Sequence, residues 1–353
     1  MFRIQRMASI SPLSILASRV IAVAAALVVG GVVFALMGYD VFELGANVID
    51  SSFGSDFGVQ DLGLLFSPLI LTGLATAITL RIGLWNIGGE GQFYLGAVFA
   101  TAIGLFVHGP DWLILPLMFI GGFLGGMLWI LLPALARAYL QTDEIITTLL
   151  LNFVAMLLVY FLCTGPWRDP KDPVTSSTAP VKVEVPTFFG DLHWGLIIAL
   201  LLALLVAAAL AFTKWGYEVR LAGSNRFAAF YAGVPVRRRL IEVMLLSGGI
   251  AGIGGMLEVA GTVHHLQGGM SNNFGYLGIL VAVVAGGAPI AVPAAALMMA
   301  VILNGGIVLQ SYGVSTYEVL ALTGLILFFV AISEQLAYYR LSRPPALRSG
   351  GGA

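Results

Sequence analysis

Charged residues are scarce in this chain of 353: 17 Lys and Arg with 18 Asp and Glu make up 10% of it, against roughly a quarter in a soluble domain. With 59% hydrophobic residues and a mean hydropathy of +0.97, that shortage excludes a water-soluble globular protein. Long polar stretches are missing as well. Those near residues 39–61, 164–193 and 214–239 each run under about 30 residues, too short to bury a core, so no soluble catalytic domain is appended. A lone cysteine, Cys163, excludes an intrachain disulfide and leaves the redox compartment open. The chain has no Gly-Lys pair, hence no P-loop, and no G-x-S-x-G or H-E-x-x-H. His264 and His265 are adjacent rather than at metal-ligand spacing, with no cysteine cluster beside them. No nucleophile–base or metal set is visible, so the expectation is a protein that is not an enzyme, and any energy from ATP would come from a partner.

What the chain has is a succession of apolar runs. Membrane spans are expected near 20–38, 62–80, 92–108, 112–136, 144–163, 194–213, 240–261, 276–288, 290–311 and 317–336. The eighth holds only about a dozen apolar residues before GGAP at 286–289, which suits a half-helix better than a full crossing. Arg3, Arg6 and Arg19 precede the first run as in a signal peptide, but residues 20–37 are too long for one and lack a small-residue cleavage site, so a retained helix is expected. Basic side chains are kept on the cytoplasmic side. With the N-terminus inside, fourteen of the Lys and Arg fall on inner segments, and only Arg168, Lys171 and Lys182 fall outside. The first outer stretch agrees, carrying Asp40, Glu43, Asp50, Asp56 and Asp61 without a base. Both termini are therefore expected in the cytoplasm. The tripeptide YLG recurs at 94–96 and 276–278, each time after a Gly- and amide-rich stretch, and the preceding spans run in opposite directions. That pattern suits inverted repeats whose broken helices meet near the membrane midplane, or a chance match.

Three constellations carry chemistry. In RIGLWNIGGEGQFYLG at 81–96, a carboxylate and two amides sit among five glycines. A Glu in hydrocarbon is a functional candidate by default, and the glycines let the backbone unwind. Trp85, Asn86, Glu90 and Gln92 would then line a polar path for a neutral, hydroxyl-rich solute; the alternative is that Glu90 caps a helix or ties spans together. The second is the stretch 214–239, KWGYEVRLAGSNRFAAFYAGVPVRRR, where Phe227, Phe230 and Tyr231 with Ala228, Ala229 and Ala232 form a short amphipathic helix after a Ser224-Asn225 cap. Such a helix docks into a groove on a partner or rests on lipid headgroups. The third comprises Glu144, Asn152, Glu258, Asn272 and Asn273, polar residues in or beside spans; of these Asn152, Glu258, Asn272 and Asn273 are candidates for the solute path, or else caps and interhelical hydrogen bonds.

Together, WNIGGEGQFYLGA at 85–97, TDEIITTLLLNFVA at 142–155, and EVRLAGSNRFAAFYAGV with LSGGIAGIGGMLE between 218 and 258 resemble the membrane permeases of ABC importers of the branched-chain amino acid and ribose type. The likeness covers roughly residues 60–335 and is strongest to nucleoside and simple-sugar uptake permeases. It implies an all-α polytopic membrane protein of about ten transmembrane helices, with two inverted repeats and broken half-helices. The expected divisions are a first helix and acidic outer loop over 1–61, a first repeat over 62–163, and an outer loop, connecting helix and cytoplasmic coupling loop over 164–239. A second repeat over 240–336 and a basic cytoplasmic tail over 337–353 complete the chain. The resemblance also implies a bacterial cytoplasmic-membrane location, a second related permease subunit, an ABC ATP-binding subunit that uses the ATP, and an extracytoplasmic solute-binding protein. No cofactor or nucleic acid is implied for this chain. Glu218, Arg220, Gly223, Asn225, Ala228, Ala229 and Gly233 would belong to the loop that seats in the ATPase. The same machine carrying branched-chain amino acids or another sugar, and an ion-coupled secondary transporter using Glu90, Glu144 and Glu258, remain the alternatives.

Overall fold

The computed structural model describes residues 3–6, 12–172, 174–337 and 339–342. Among these, six helices are long and apolar enough to cross a bilayer: Asp56–Leu80, Asp111–Leu140, Glu144–Thr164, Gly195–Phe212, Val236–Val263 and Pro289–Ser311. Shorter apolar helices lie at Ile21–Leu36, Phe274–Val284 and Thr316–Ile326. A helix satisfies its own backbone groups, which hydrocarbon demands of any spanning chain. The protein is a multi-pass helical membrane protein.

In chain order the elements begin with β1 (Arg3–Arg6), α1 (Pro12–Leu36), α2 (Val41–Phe53), α3 (Asp56–Leu80), α4 (Gly89–Phe106), α5 (Asp111–Leu135) and α6 (Glu144–Thr164). A small ribbon follows, β2 (Thr187–Phe189) and β3 (Leu192–His193), then α7 (Gly195–Phe212), α8 (Lys214–Ser224), α9 (Arg226–Tyr231) and α10 (Val236–Leu257). The last are α11 (Phe274–Val284), α12 (Val292–Ser311), α13 (Thr316–Ala337) and β4 (Tyr339–Ser342). The chain divides into two compact units, one of residues 49–305 and one of residues 1–48 with 306–353.

In the second of these, α1 and α13 pack together around Phe34, Leu44, Leu309, Val314 and Val319, and Tyr39 donates its hydroxyl to Glu318 Oε2 at 3.0 Å. β1 pairs antiparallel with β4, Arg3 opposite Ser342, which brings the two ends of the chain together. Arg343 and Arg348 of the expected basic tail lie outside the described residues.

The larger unit is built around α3 and α10, whose apolar windows are 83% and 78% buried, whereas those of α6 and α7 are 22% and 28% buried and lie at its surface. Backbone contact replaces side-chain packing at its centre. Gly122 and Gly126 of α5 meet Gly248 and Gly252 of α10, and Gly252 also meets Gly96 of α4, so closely that a Cβ on Gly96, Gly126, Gly248 or Gly252 would strike the opposing backbone and one on Gly122 would strike Met256 Cβ. Small residues spaced in this way let helices associate without a hydrophobic drive.

Two differences from the hydropathy reading have local causes. The first outer stretch is largely helical: Asp40 Oδ1 accepts from the Phe42 and Glu43 amides at 3.0 and 3.1 Å, starting α2. Ser55 Oγ then accepts from Gly58 N at 3.1 Å, so α3 begins at Asp56, six residues ahead of its apolar run, because capping rather than hydropathy sets a helix start. The outer loop also contains an extended strap. Val181, Val183 and Val185 are buried, alternating with exposed Lys182 and Glu184, and Val181 N and Val185 N donate to His264 O and Ala260 O at 2.8 and 2.7 Å. Where the strap ends, burial and then the charge of His264 push the His193 imidazole down to about 4. It is neutral, and its Nδ1 accepts from Gly195 N at 3.0 Å to start α7.

Gly252→Val is expected to destabilise the protein by about 1–3 kcal/mol or more, because neither backbone at the α5–α10 crossing can retreat. Thermal unfolding in detergent reads this out, and an unchanged midpoint would refute the close backbone crossing.

Candidate functional site

The site forms where α3 stops. Gly83, with φ +74°, turns the chain after Arg81, and residues 84–87 run without helix until α4 begins at Gly89. Unwound backbone inside a bilayer needs partners, and the amides supply them. Asn86 Oδ1 accepts from Gly88 N at 2.9 Å, and Asn86 and Gln92 exchange two side-chain hydrogen bonds at 2.9 Å each. Asn86 Nδ2 also donates to Ser247 Oγ at 2.8 Å, and Ser247 donates to Ala75 O at 2.6 Å. From α6, Asn152 accepts from Gly91 N at 2.9 Å and donates to Ile87 O at 2.8 Å and Tyr276 Oη at 3.2 Å. α3, α6 and α10 are thereby fastened to one break.

Glu90 fastens a fifth element. Its carboxylate accepts from Ser271 Oγ and, at 2.9 Å, from Gly275 N in the first turn of α11. α4 and α11 therefore meet N-terminus to N-terminus with the carboxylate between them, where both helix dipoles favour a negative charge. The approach requires glycine, since a Cβ on Gly275 would collide with the Glu90 backbone. α11 has 11 residues, about 16 Å of helix, half the hydrocarbon thickness. Gly278 packs on Thr72 and Gly287 on Leu80, so α11 runs alongside the last turns of α3, with its N-terminus against the middle of that helix rather than its end.

The sequence candidates for a solute path thus separate by what their polar atoms touch. Asn86, Glu90, Gln92 and Asn152 are at most 2% exposed and hydrogen-bonded within the chain. Trp85 is 42% exposed, its backbone N donating to Glu144 Oε1 at 3.3 Å, while Glu144 Oε2 pairs with Arg137 Nε at 3.0 Å. Glu258 is buried in a π-helical turn at Glu258–Val263; its backbone N–H donates to Gly254 O, and no side-chain hydrogen bond or ion pair joins its carboxylate to another described residue. Asn272 and Asn273 are exposed at the head of α11 in left-handed backbone, φ +45° and +63°. Asn tolerates that conformation better than most residues, though it is still strained.

The coupling-loop candidates lie together at the end where the bases gather. Thr213 Oγ1 caps α8 by accepting from Gly216 N at 3.0 Å, and Gly223 in its last turn abuts the backbone of Arg81 and Ile82. Asn225 Oδ1 accepts from Ala228 N at 3.0 Å, starting α9 at the expected place, and Gly233 at φ +77° ends the turn beyond it. Six residues do not hold a helix unaided; Ala229, fully buried, anchors this one. Phe227, Phe230 and Tyr231 stand 79%, 72% and 87% exposed beside a groove of about 1460 Å³ that Tyr139, Arg226 and Arg238 also line. Glu218 pairs with Arg239 at 2.6 Å, and Glu242 accepts from Arg238 at 2.8 Å and Trp215 Nε1 at 3.0 Å, making a rigid base.

Sequence reasoning missed Ser247, Ser271, Gly275 and Tyr276. Ser247 was legible only as a small residue in SGGIAG, and Tyr276 only as part of the repeated tripeptide; nothing local marks Ser271 or Gly275 as partners of a carboxylate 181 and 185 residues away.

Broken helices joined by buried amides, with an aromatic helix projecting from the basic end, describe a membrane permease rather than an enzyme. The chain belongs to the family described as the permease component of the branched-chain amino acid transport system, whose model matches residues 59–331. It is 33% identical to the glucose ABC transporter permease protein TsgB13 of Haloferax volcanii, over 95% of this chain and 94% of that one. It is 30% identical to the guanosine ABC transporter permease protein NupP of Bacillus subtilis, covering 90% and 93%. It is 29% identical to the nucleoside ABC transporter permease protein NupB of Lactococcus lactis, covering 88% and 89%.

Glu90→Ala is expected to orphan the Ser271 hydroxyl and the Gly275 amide at a cost of about 1–3 kcal/mol for each, and Glu90→Gln, which keeps an acceptor, to be milder. Equal thermal stability of Glu90→Ala and the unaltered protein would remove Glu90 as the tie between α4 and α11.

Proposed function

We propose that the protein is the translocation subunit of an ATP-driven importer carrying nucleosides or related simple sugars across a bacterial cytoplasmic membrane. Its likeness to sugar and nucleoside permeases over about nine-tenths of the chain supports that cargo. The observation that carries the mechanism is the contact of Gly223 with the Arg81 backbone. Through it, the α8–α9 segment touches the residues that lead directly into the break at Asn86 and Glu90, and Glu90 holds the head of α11. A partner ATPase seated on Phe227, Phe230 and Tyr231 would move that segment, and the break would follow. ATP is used by the partner, and a second related permease and an extracytoplasmic solute-binding protein complete the assembly.

In this reading the chain crosses the membrane about ten times with both termini in the cytoplasm, consistent with the β1–β4 pairing. α4 and α11, each with a YLG tripeptide near its N-terminus, are the broken half-helices of two inverted repeats, and the divisions at 61, 163, 239 and 336 follow. Asn272 and Asn273 offer free carboxamides at the head of a half-helix, a place suited to hydroxyls and nucleobase edges. Trp85 and Glu258 complete the path, and the buried amides hold its shape. Neutral amides fit a polyol or base better than a zwitterion, which favours nucleosides and sugars over branched-chain amino acids.

Two experiments test this. Asn273→Gly keeps a residue that accepts positive φ but removes the carboxamide; the loss of one hydrogen bond should raise KM for radiolabelled nucleoside or sugar about two- to tenfold, with normal folding. Unaltered KM in this variant and in Asn272→Gly would remove both from the solute path. Ala229→Glu should lift α9 from its seat, abolishing uptake and co-purification of an ATPase while membrane insertion persists; normal uptake would overturn the coupling assignment.

A further inference from the structure

Beside the joint between α3 and α8 lies a groove of about 410 Å³ whose chemistry the transport reading leaves unused. Its walls are the last turns of α7, including Leu204, Ala208 and Phe212, and the turn that carries Ile290; Arg81 and Arg220 stand at its mouth. Only five of the eighteen residues of α7 are buried, in an uninterrupted apolar sequence with Leu204 56% and Phe212 89% exposed, and such a wall suits an acyl chain.

The bases at this end differ in what they hold, and Arg226 and Arg237, outside the groove, are likewise without an ion pair or side-chain hydrogen bond among the described residues. Arg137, Arg238 and Arg239 each hold a carboxylate. Arg81 and Arg220 have no ion pair or side-chain hydrogen bond with any described residue, although Arg81 is partly buried and the two charges are close enough to repel. The carboxylate on α8 is committed elsewhere, since Glu218 binds Arg239 and lies 3.9 Å from Lys214. Two cations held together beside an apolar trough, at the level where α3 leaves the membrane, lack a counter-ion that also has a hydrocarbon part.

We propose that this groove binds an anionic phospholipid, the phosphate between Arg81 and Arg220 and an acyl chain along α7. Phosphatidylglycerol then neutralises the pair and rests against the backbone joint at Gly223, steadying the α8–Arg81 contact.

The test uses the purified full-length protein in detergent, with bound lipid counted by native mass spectrometry. Phosphatidylglycerol should be retained in preference to phosphatidylethanolamine of the same acyl chains. Arg220→Gln, at an exposed position, should lower that retention about fivefold, the weight of one basic residue near an anionic headgroup, and Arg81→Gln/Arg220→Gln should lower it further. Arg237→Gln, outside the groove, should not. Equal retention of the two lipids, or undiminished phosphatidylglycerol on Arg220→Gln, would overturn the proposal. Complete displacement by excess inorganic phosphate would also overturn it, showing an anion site with no use for the acyl chain.

Discussion

A carboxylate in hydrocarbon has no water to turn to, and the architecture of the larger unit follows from how Glu90 is answered. Its two acceptor bonds come from Ser271 and Gly275, so α4 cannot begin without the head of α11 beside it. The meeting of two helix N-termini would be unfavourable on its own, positive end against positive end. With the carboxylate between them each dipole stabilises the charge, and the charge removes the repulsion. Glycine at 275 is a further consequence, because the carboxylate reaches its donors only if the two backbones nearly touch. The amide pair of Asn86 and Gln92 then closes the other side, each carboxamide matched by the other.

The membrane character of the chain was legible because hydropathy is a sum over many residues. Runs at 112–136 and 144–163 reappear as helices with boundaries within a few residues. The start of α9 was legible for another reason: Asn225 caps through a hydrogen bond three residues along, an interaction confined to its own neighbourhood. The glycines of 81–96 likewise announced a break, which lies there. What those polar residues touch was not legible. The sequence offers Glu90 as part of a solute path, a cap or a tie between spans; its oxygens face residues about 180 positions away, and only the fold brings Ser271 within reach. The outer strap was hidden too, since Val181, Val183 and Val185 form a strand-like alternation too short to stand out in a polar loop.

The proposed transport cycle must also respect the cost of the Glu90 contact. Separating a buried carboxylate from its donors among the described residues costs about 1–3 kcal/mol for each group left unsatisfied, more for a charged one, and nothing in hydrocarbon replaces them. A movement that opened α4 from α11 would meet that barrier in every cycle. A movement that carries both heads together does not, and it needs compliant backbone on either side. Gly83 with φ +74° precedes the break, and Gly286 and Gly287 with φ +61° and +62° follow α11. These positions sit at the basic end, next to the contact between Gly223 and Arg81. In the proposed cycle the bracket around Glu90 would travel as one piece, and the glycine turns are where the chain would bend to let it. Asn272 and Asn273, strained and exposed at the bracket's edge, would change their surroundings with each stroke while the buried amides keep their partners, so the residues proposed to meet cargo would part from those that hold the shape.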